Sequence, residues 1–576
     1  MAAEQPEPER TDDTGGSSVS DLNRFLNRYH WPVFCGLAVF AVFLAWLHRF
    51  VCDDAFISFN YARSLVEGHG LIWFGNRVEG YSNFLWVLWS ALGIRLGIEP
   101  VLWSWFTGIA CFVTTVYATW RVGLRLFSEP APALLAVLFL CTNYTVLSFS
   151  TSGLETMLQT ALLSLGVLSL VGIAGPEPVR LRHLLSFSVV SGLAVLTRMD
   201  SLLPVAVIGL WAMTRLVRQR TGGRHCAALV LPGLCLVLPW LVWKQLYYGS
   251  ILPNSLQVKV GLEPAAFRVG LSFLARFFNW YLVWPVLALG IAAFVWRRRR
   301  VVPGVWLLVA MTMAWFGYVV VVGGDFIEFR FLVPVAPALF LLTAFLAWYG
   351  LGSVLKRNRL ALPVLSLVVL VAASVVHAHR FQHTTPDLTL DSISTLAGFY
   401  DINPDHDWSC IGRKLGTDLE GTGAVLALGA VGSIPFYSRL RTVDMLGLNE
   451  RGAGRLFPAR AYVRPRPGHR LRAGLGYLRQ KRVNFVVANP TPIRLGALNR
   501  AGDVAPLACW VMGSIDLTSE AIDGPRLVVM PYSDESGLLM WYLSSTPRID
   551  SAIARSGWER RRLAVRLRPE RISAPD

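Results

Sequence analysis

Charge is what this chain has least of. Of its 576 residues only 16% are Asp, Glu, Lys or Arg, whereas 54% are hydrophobic and 12% aromatic. That balance excludes an ordinary large water-soluble protein and points to a polytopic membrane protein. Cysteine is sparse: eight residues, with no CxxC pair and no zinc-type spacing, so thiolate metal sites and thioredoxin-type redox chemistry are excluded. Most of the cysteines lie in or beside apolar runs and read as small core residues, while Cys410 and Cys509 fall in the C-terminal third as a candidate disulfide. Neither a P-loop nor a GxGxxG fingerprint occurs, which disfavours an ATP-driven transporter and, more weakly, a cytoplasmic nucleotide-sugar enzyme. Internal repeats are absent. The net charge of +17 does not read as nucleic-acid binding, because the basic residues sit mainly in short clusters between apolar runs, as cytoplasmic loops do.

Long apolar runs are what the chain does have. Residues 1–22 are polar and predict a disordered cytoplasmic tail. The first run, about 31–51, is too long for a cleavable signal peptide and lacks a small-residue cleavage site. Arg24 and Arg28 precede it, so its N-terminus is expected inside and Asp53-Asp54 outside. The run 83–97 falls short of the roughly 20 residues a span needs and predicts a juxtamembrane or re-entrant helix. Further runs at about 100–120, 131–149, 154–174, 184–197, 201–215, 228–247, 268–295, 303–322, 331–350 and 360–378 bring the expectation to about 11 transmembrane helices. With that count, Arg121 and Arg125, Arg180 and Arg182, Arg215 to Arg224, Arg297 to Arg300, and Lys356 to Arg359 all fall inside. Beyond about 379 apolar segments shrink to strand length, as in Ala424–Leu428, Val483–Val487 and Arg526–Met530, punctuated by Gly, Pro and Arg. The expected organisation is therefore the tail (1–22), a transmembrane catalytic domain (23–378) and an extracytoplasmic α/β domain (379–576), in a multi-pass plasma-membrane protein.

Five polar clusters share the outer face in this topology. They are Asp53-Asp54; Ser152-Gly153-Leu154-Glu155; Arg198-Met199-Asp200; Tyr247 through Ser255; and Gly323-Gly324-Asp325 through Arg330. Ionisable groups at membrane depth are costly and are functional candidates by default. Singly, each has a plainer reading: Glu155 as a helix cap, Arg198 with Asp200 and Asp325 with Arg330 as structural ion pairs, and Asn254 as a loop residue. Their conjunction suits transfer of a sugar from a lipid phosphate. A carboxylate, Asp53 or Asp54, would serve as general base toward an acceptor hydroxyl. Arg198 or Arg330 would meet the charge building on the departing phosphate. If a divalent cation is used, Asp53 and Asp54 are the pair to hold it. His377, His379 and His383 do not gather on one helical face and make a poor metal site. Asn143-Tyr144-Thr145 matches a glycosylation sequon but lies in an expected span. The basic segment Arg451 to Arg466, with Tyr462, reads either as a solvated loop or as a surface that holds an anionic or sugar polymer as acceptor.

These residues carry a resemblance. Asp53-Asp54 after the first span, Gly68-His69-Gly70 with Arg77-Val78-Glu79, Thr151 to Glu155, and Gly323-Gly324-Asp325 with Phe331 to Pro334 are similar to the GT-C superfamily of polyprenyl-phosphate-sugar glycosyltransferases. The pattern resembles the branch of mycobacterial and corynebacterial terminal arabinofuranosyltransferases. The resemblance covers about the first 380 residues; the C-terminal domain matches only in position and character, through Gly429 to Gly432. It implies an inverting transfer, arabinofuranose as the expected sugar, a polyprenyl-phosphate donor, an envelope-glycan acceptor, and the first-loop aspartate, by position Asp53, as base. Glu155, Asp200, Asp325, His69, Glu79, Tyr81 and Asn254 are the expected supporting residues. The segments Tyr81-Ser82-Asn83 and Arg198-Met199-Asp200 look more like the wider branch, which includes proteins linked to flagellar motor control. Two other readings stand beside the enzyme: a non-catalytic assembly or signalling protein on this scaffold, and a lipid-linked-sugar transporter, which would place its polar residues mid-span.

Overall fold

The computed structural model describes residues 14–172, 179–255, 264–298, 301, 303–355, 358–381, 390–400, 407–451, 473–487, 490, 492–495, 522–523, 526–562 and 566–567. Helix α1 (Thr14–Leu47) holds the first apolar run and begins inside the stretch expected as a disordered tail. The reason is a long-range partner: Val19 and Leu26 pack with Ala131 and Trp348, and Asn23 Nδ2 donates to Glu129 Oε2 at 2.8 Å. The helix kinks at Tyr29, three residues before Pro32, where the missing N–H interrupts the ladder.

Among the described residues, seven helices are long and apolar enough to cross a membrane. The short α2 (Ala55–Val66) and α3 (Phe84–Arg95) precede α4 (Pro100–Leu126), α5 (Pro130–Thr142), α6 (Tyr144–Phe149), α7 (Thr156–Val171), α8 (Leu181–Thr197), α9 (Leu202–Arg218) and α10 (Gly223–Tyr248). The run 268–295, expected as one span, is instead two helices, α11 (Pro264–Trp280) and α12 (Val283–Trp296), bent by 82°. The corner is held by the Tyr281 hydroxyl on Thr145, 3.0 Å from its amide and 2.6 Å from its Oγ1, while Leu282 adopts a left-handed φ of +50°. Counted as one broken span the pair makes eight. Then follow α13 (Pro303–Val322), a 3₁₀ turn at Arg330–Val335 running into α14 (Ala336–Phe345), and α15 (Ala361–Arg380). The expected spans 131–149, 154–174 and 184–197 contain helices of only 13, 16 and 17 residues, α5, α7 and α8, shorter than a full crossing needs. Packed inside other helices, as α7 is between α4 and α8, such a segment need not reach both interfaces. Glycines set the tightest approaches. A Cβ on Gly350 would sit 2.4 Å from Gly290 O, and one on Gly108 2.0 Å from Ser150 O.

The C-terminal part is α/β. Helices α16 (Ile393–Ala397) and α17 (Trp408–Asp418) lead to β1 (Val425–Leu428), α18 (Ser433–Ser438), β2 (Arg441–Asp444), α19 (Leu475–Gln480), β3 (Phe485–Val487), β4 (Pro492–Arg494), β5 (Ile522–Asp523), β6 (Arg526–Pro531), β7 (Ser536–Tyr542), α20 (Pro547–Arg555), β8 (Glu559–Arg562) and β9 (Arg566–Leu567). The main sheet has the order β2-β1-β3-β7-β6-β8, with β4 also on β7 and β5–β9 a separate pair. Strand β1 runs parallel to β2 and β3, and β7 antiparallel to β3 and β6. Side chains alternate between faces. Val425, Ala427 and Val486 fill one core. Leu426, Leu428, Phe485 and Val487 join another that also contains Ile57, Tyr61, Trp73 and Tyr81. The sheet thus shares a hydrophobic core with the segment that follows the first span.

Candidate active site

After α1 the chain runs along the polar turn Ser150 to Glu155 of the membrane body. Phe50 N donates to Thr151 Oγ1 (3.4 Å) and Cys52 N to Ser152 O (2.9 Å). Gly153, at φ +78°, leaves no room for a side chain: a Cβ would lie 2.8 Å from Ala55 Cβ. Trp86 Nε1 closes the turn on Gly153 O at 2.9 Å. These contacts fix the register of Asp53 and Asp54 at the start of α2.

The two aspartates face different surroundings. Asp53 is buried, and its carboxylate accepts three hydrogen bonds from the C-terminal domain: Gly432 N to Oδ2 at 3.0 Å, and Ser433 N and Oγ to Oδ1, each at 2.8 Å. Burial pushes its pKa from 3.8 up to about 6, against the downward pull of the Ser433 hydrogen bonds. Asp54 is half-buried, does not cap α2 with its side chain, and its carboxylate has no hydrogen-bond partner among the described residues.

Around the aspartates lies a cluster of guanidinium and carboxylate groups. Arg198 donates through Nη1 to Glu155 Oε1 (2.7 Å), through Nη2 to Asp200 Oδ2 (2.6 Å), and through Nε to both Asp200 oxygens (3.1 Å). Glu155 also accepts from Asn83 Nδ2 at 2.6 Å, and Asn83 in turn bonds Ser58. Asp200 accepts from Gln159 Nε2 (2.8 Å) and the Tyr318 hydroxyl (3.3 Å). Arg330 donates through Nε to Asp325 Oδ2 at 2.6 Å. Both arginines lie over the Phe331 ring, 5.5 and 5.4 Å from its centroid. The charges of Asp325, Glu155 and Asp54 all act on Arg330. Arg198 is thus committed to two carboxylates. Arg330 keeps both Nη groups without a hydrogen-bond acceptor among the described residues.

A second polar group adjoins the first. Lys244, fully buried in α10, pairs with Glu79 at 3.0 Å, and Met199 Sδ lies 3.6 Å from its ammonium. Burial pushes Glu79 up to about 7, against the opposing pull of Lys244. Asn254 N donates to Glu79 O (3.0 Å), and its Nδ2 reaches Gly447 O and Leu448 O (2.8 Å each). The Tyr81 and Tyr248 hydroxyls are 3.2 Å apart.

Of the expected site residues, Asp54, Glu155, Arg198, Asp200, Asp325 and Arg330 converge, Asp53 adjoins them, and Glu79, Tyr81 and Asn254 form the neighbouring group. His69 belongs to neither. Gly68 and Gly70, both at φ +85°, turn the chain so that His69 faces solvent, 3.9 Å from Glu67. Lys244 escaped the sequence reading, although a lone lysine in an apolar run is a signal in its own right. Gln159 and Tyr318 carry no comparable signal. Glu328 and His377 form another buried pair at 2.7 Å, with Ile393 N donating to Glu328 Oε2, so His377 is occupied; His383 lies outside the described residues. Asp53 and Asp54 do not fit a shared cation: the Asp53 oxygens already take three donors, and no group of three His, Cys, Asp or Glu among the described residues is placed to hold a metal ion. Asn143 caps α6 through Val146 N and is buried. Cys410 lies partly buried on α17; Cys509 lies outside the described residues, as does the basic segment beyond Arg451. Arg451 itself donates to Tyr248 O.

The model of a domain of unknown function (DUF8728) matches residues 406–521. Two terminal β-(1→2)-arabinofuranosyltransferases are similar in sequence. That of Mycobacterium tuberculosis is 26% identical over 291 residues, 47% of this chain and 45% of the relative. That of Corynebacterium glutamicum is 26% identical over 334 residues, 51% and 48%. The chain spans about half the length of these curated relatives. Among solved structures, ArnT from Cupriavidus metallidurans bound to undecaprenyl phosphate aligns with a TM-score of 0.50 at 13% identity, over 72% of this chain and 86% of that one. The chain therefore has a GT-C glycosyltransferase fold, a helical membrane body joined to a C-terminal α/β domain, and resembles the terminal arabinofuranosyltransferases in sequence.

Proposed function

We propose that this protein transfers a sugar, arabinofuranose in the first instance, from a polyprenyl-phosphate donor to a cell-envelope glycan. The observation that carries the reading is the half-buried Asp54 carboxylate, unclaimed by any hydrogen bond among the described residues, within the field of an Arg330 whose Nη groups are likewise unclaimed among them. An acceptor hydroxyl attacks the anomeric carbon while its proton passes to Asp54. The bond from that carbon to the phosphate oxygen breaks, its electron pair leaves with the phosphate, and Arg330 meets the new charge. A single displacement of this kind inverts the anomeric centre. The geometry favours Asp54 over Asp53 as base, because the Asp53 oxygens are engaged by Gly432 and Ser433. It likewise favours Arg330 over Arg198 for the phosphate. Glu155, Asp200 and Asp325 brace the two arginines.

The related arabinofuranosyltransferases support the choice of sugar, and the undecaprenyl phosphate in the ArnT structure supports a polyprenyl carrier for this fold. The distribution of basic clusters supports a reaction on the outer face, with the N-terminus inside and the C-terminal domain outside. The test is turnover by purified protein offered a panel of polyprenyl-phosphate sugars, with arabinofuranose and mannose among them. One donor should be consumed by wild type, and by Asp54→Asn at a rate lower by about 10²–10⁴-fold, the range for a lost general base. A folded protein silent toward every donor would return the chain to the non-catalytic scaffold reading.

A further inference from the structure

The domain matched as one of unknown function contributes a contact that reaches the first-loop aspartates. Strand β1 ends at Leu428, and the chain then turns through Gly432, at φ −90° and ψ −97°, into α18. That turn lies directly on Asp53. A Cβ on Gly432 would stand 2.0 Å from Asp53 O and 2.5 Å from its Cγ, so only glycine fits. Ser433 adds its amide and hydroxyl to the same carboxylate. The grip extends along α2. Asn60 Nδ2 reaches Gly432 O at 3.5 Å, and Arg63 donates to Phe436 O at 2.5 Å while lying 4.5 Å over the Phe436 ring. Phe56 packs among Tyr400, Phe436 and Tyr437, with centroids 5.2 to 5.6 Å away. On its other side the same segment is held by the membrane body through Cys52 and Ser152.

We propose that Gly432 and Ser433 are positioning residues: by clamping Asp53 from the C-terminal domain they set the place of the adjacent Asp54 carboxylate, and the domain is an obligate part of the catalytic centre. This rests on Asp54 acting as the base. Asp53 is the buried handle, and Asp54, one residue on at the first turn of α2, is carried by it. Losing the Ser433 hydroxyl releases one of three donors, whereas a side chain at 432 pushes the handle away altogether.

The experiment uses the full-length protein in detergent, with Ser433→Ala, Ser433→Thr and Gly432→Ala variants, and reads two quantities. The first is amide hydrogen exchange across residues 50–66, which requires no donor substrate. Exchange there should rise about tenfold in Ser433→Ala, the size of one charge-assisted hydrogen bond, and more in Gly432→Ala, while exchange in α4 and α13 stays unchanged. The second is steady-state turnover. Here kcat should fall about tenfold in Ser433→Ala with donor KM nearly constant, and Ser433→Thr, which keeps the hydroxyl, should recover it. Wild-type exchange across 50–66 in Ser433→Ala and Gly432→Ala would overturn the clamp whatever the turnover. Raised exchange with unchanged kcat would overturn the link to catalysis. Wild type that turns over no donor, together with raised exchange in the variants, would sink the transferase reading and its catalytic link while leaving the clamp in place.

Discussion

The two arginines separate by a paired substitution to lysine. Arg198 makes four donor contacts to Glu155 and Asp200, two carboxylates on different segments. A lysine ammonium on its shorter reach satisfies one of them, and the other is left as a buried charge with neutral hydrogen-bond donors: Asn83 for Glu155, which also feels the charge of Arg330, or Gln159 and Tyr318 for Asp200. Breaking one side of a buried pair costs about 3–5 kcal/mol, and the surviving neutral donors place this case at the lower end. A shift of about 2–4 °C per kcal/mol holds for chains of 150–250 residues and is smaller for longer ones. Arg198→Lys is therefore expected to lower the thermal midpoint by about 2–4 °C, with kcat per folded molecule falling much less. Arg330→Lys keeps a cation beside Asp325 but removes the open Nη groups. Its thermal midpoint should move little, while kcat drops about 10²–10³-fold, the usual effect of removing a donor from a developing oxyanion. Tryptophan-fluorescence melting and donor turnover on the same preparations measure both. If Arg198→Lys loses kcat at an unchanged midpoint while Arg330→Lys keeps it, the roles are reversed and the reasoning from hydrogen-bond saturation is wrong.

Three further outcomes follow from other contacts. In a double-mutant cycle, Lys244→Met alone should strip Glu79 of its counter-ion and cost about 3–5 kcal/mol, while Lys244→Met with Glu79→Gln should recover at least half of that; additive losses would mean the 3.0 Å pair is not coupled. Asp53, Asp444 and Glu79 all hold their protons more tightly folded than unfolded, with pKa values raised by burial to about 6, about 6 and about 7. Their joint contribution to stability is therefore greatest below the ordinary carboxyl pKa and declines as pH rises through the raised values, so the thermal midpoint should be higher at pH 5.5 than at pH 8, and Asp53→Asn should flatten part of that slope; an unchanged slope in the variant would remove Asp53 from the account. Gly108→Ala places a Cβ 2.0 Å from Ser150 O, and displacement of the turn that carries Ser152 to Glu155 should cost about 1–3 kcal/mol, seen as a lower midpoint, with turnover falling as well.

The helical body, the strand segments of the C-terminal domain and most of the charged residues that the structure gathers at the candidate site were legible in the chain, because each has a local signature. Apolar run length marks a helix at membrane depth, and an arginine or carboxylate at its end is conspicuous for its cost. What was illegible depends on contacts between distant segments. The helical start at Thr14 needs Ala131 and Trp348. The 82° bend at Leu282 needs Thr145 to hold Tyr281. Run length alone cannot show whether a buried helix such as α7 reaches both interfaces. The site was read as a set of charges, so its uncharged members Gln159 and Tyr318 gave no sign, although both bond Asp200.

The pair Asp53-Asp54 shows why adjacency in sequence says little about shared duty. Successive residues at a helix start point about 100° apart, so two neighbouring carboxylates meet different surroundings almost by necessity. Here one direction leads to the Gly432–Ser433 turn and the other into the field of Arg330. The distinction depends on residues some 380 positions away, in a domain whose own sequence carries little of the resemblance seen in the membrane body. A carboxylate that must accept a proton from an incoming hydroxyl needs a free lone pair; one that must hold a loop needs its lone pairs occupied. On the proposed mechanism the two demands fall on two residues, and for that reason Asp53→Asn and Asp54→Asn should fail differently: the first by loosening α2 from the C-terminal domain and raising exchange across residues 50–66, the second by abolishing turnover in a protein whose exchange is that of wild type.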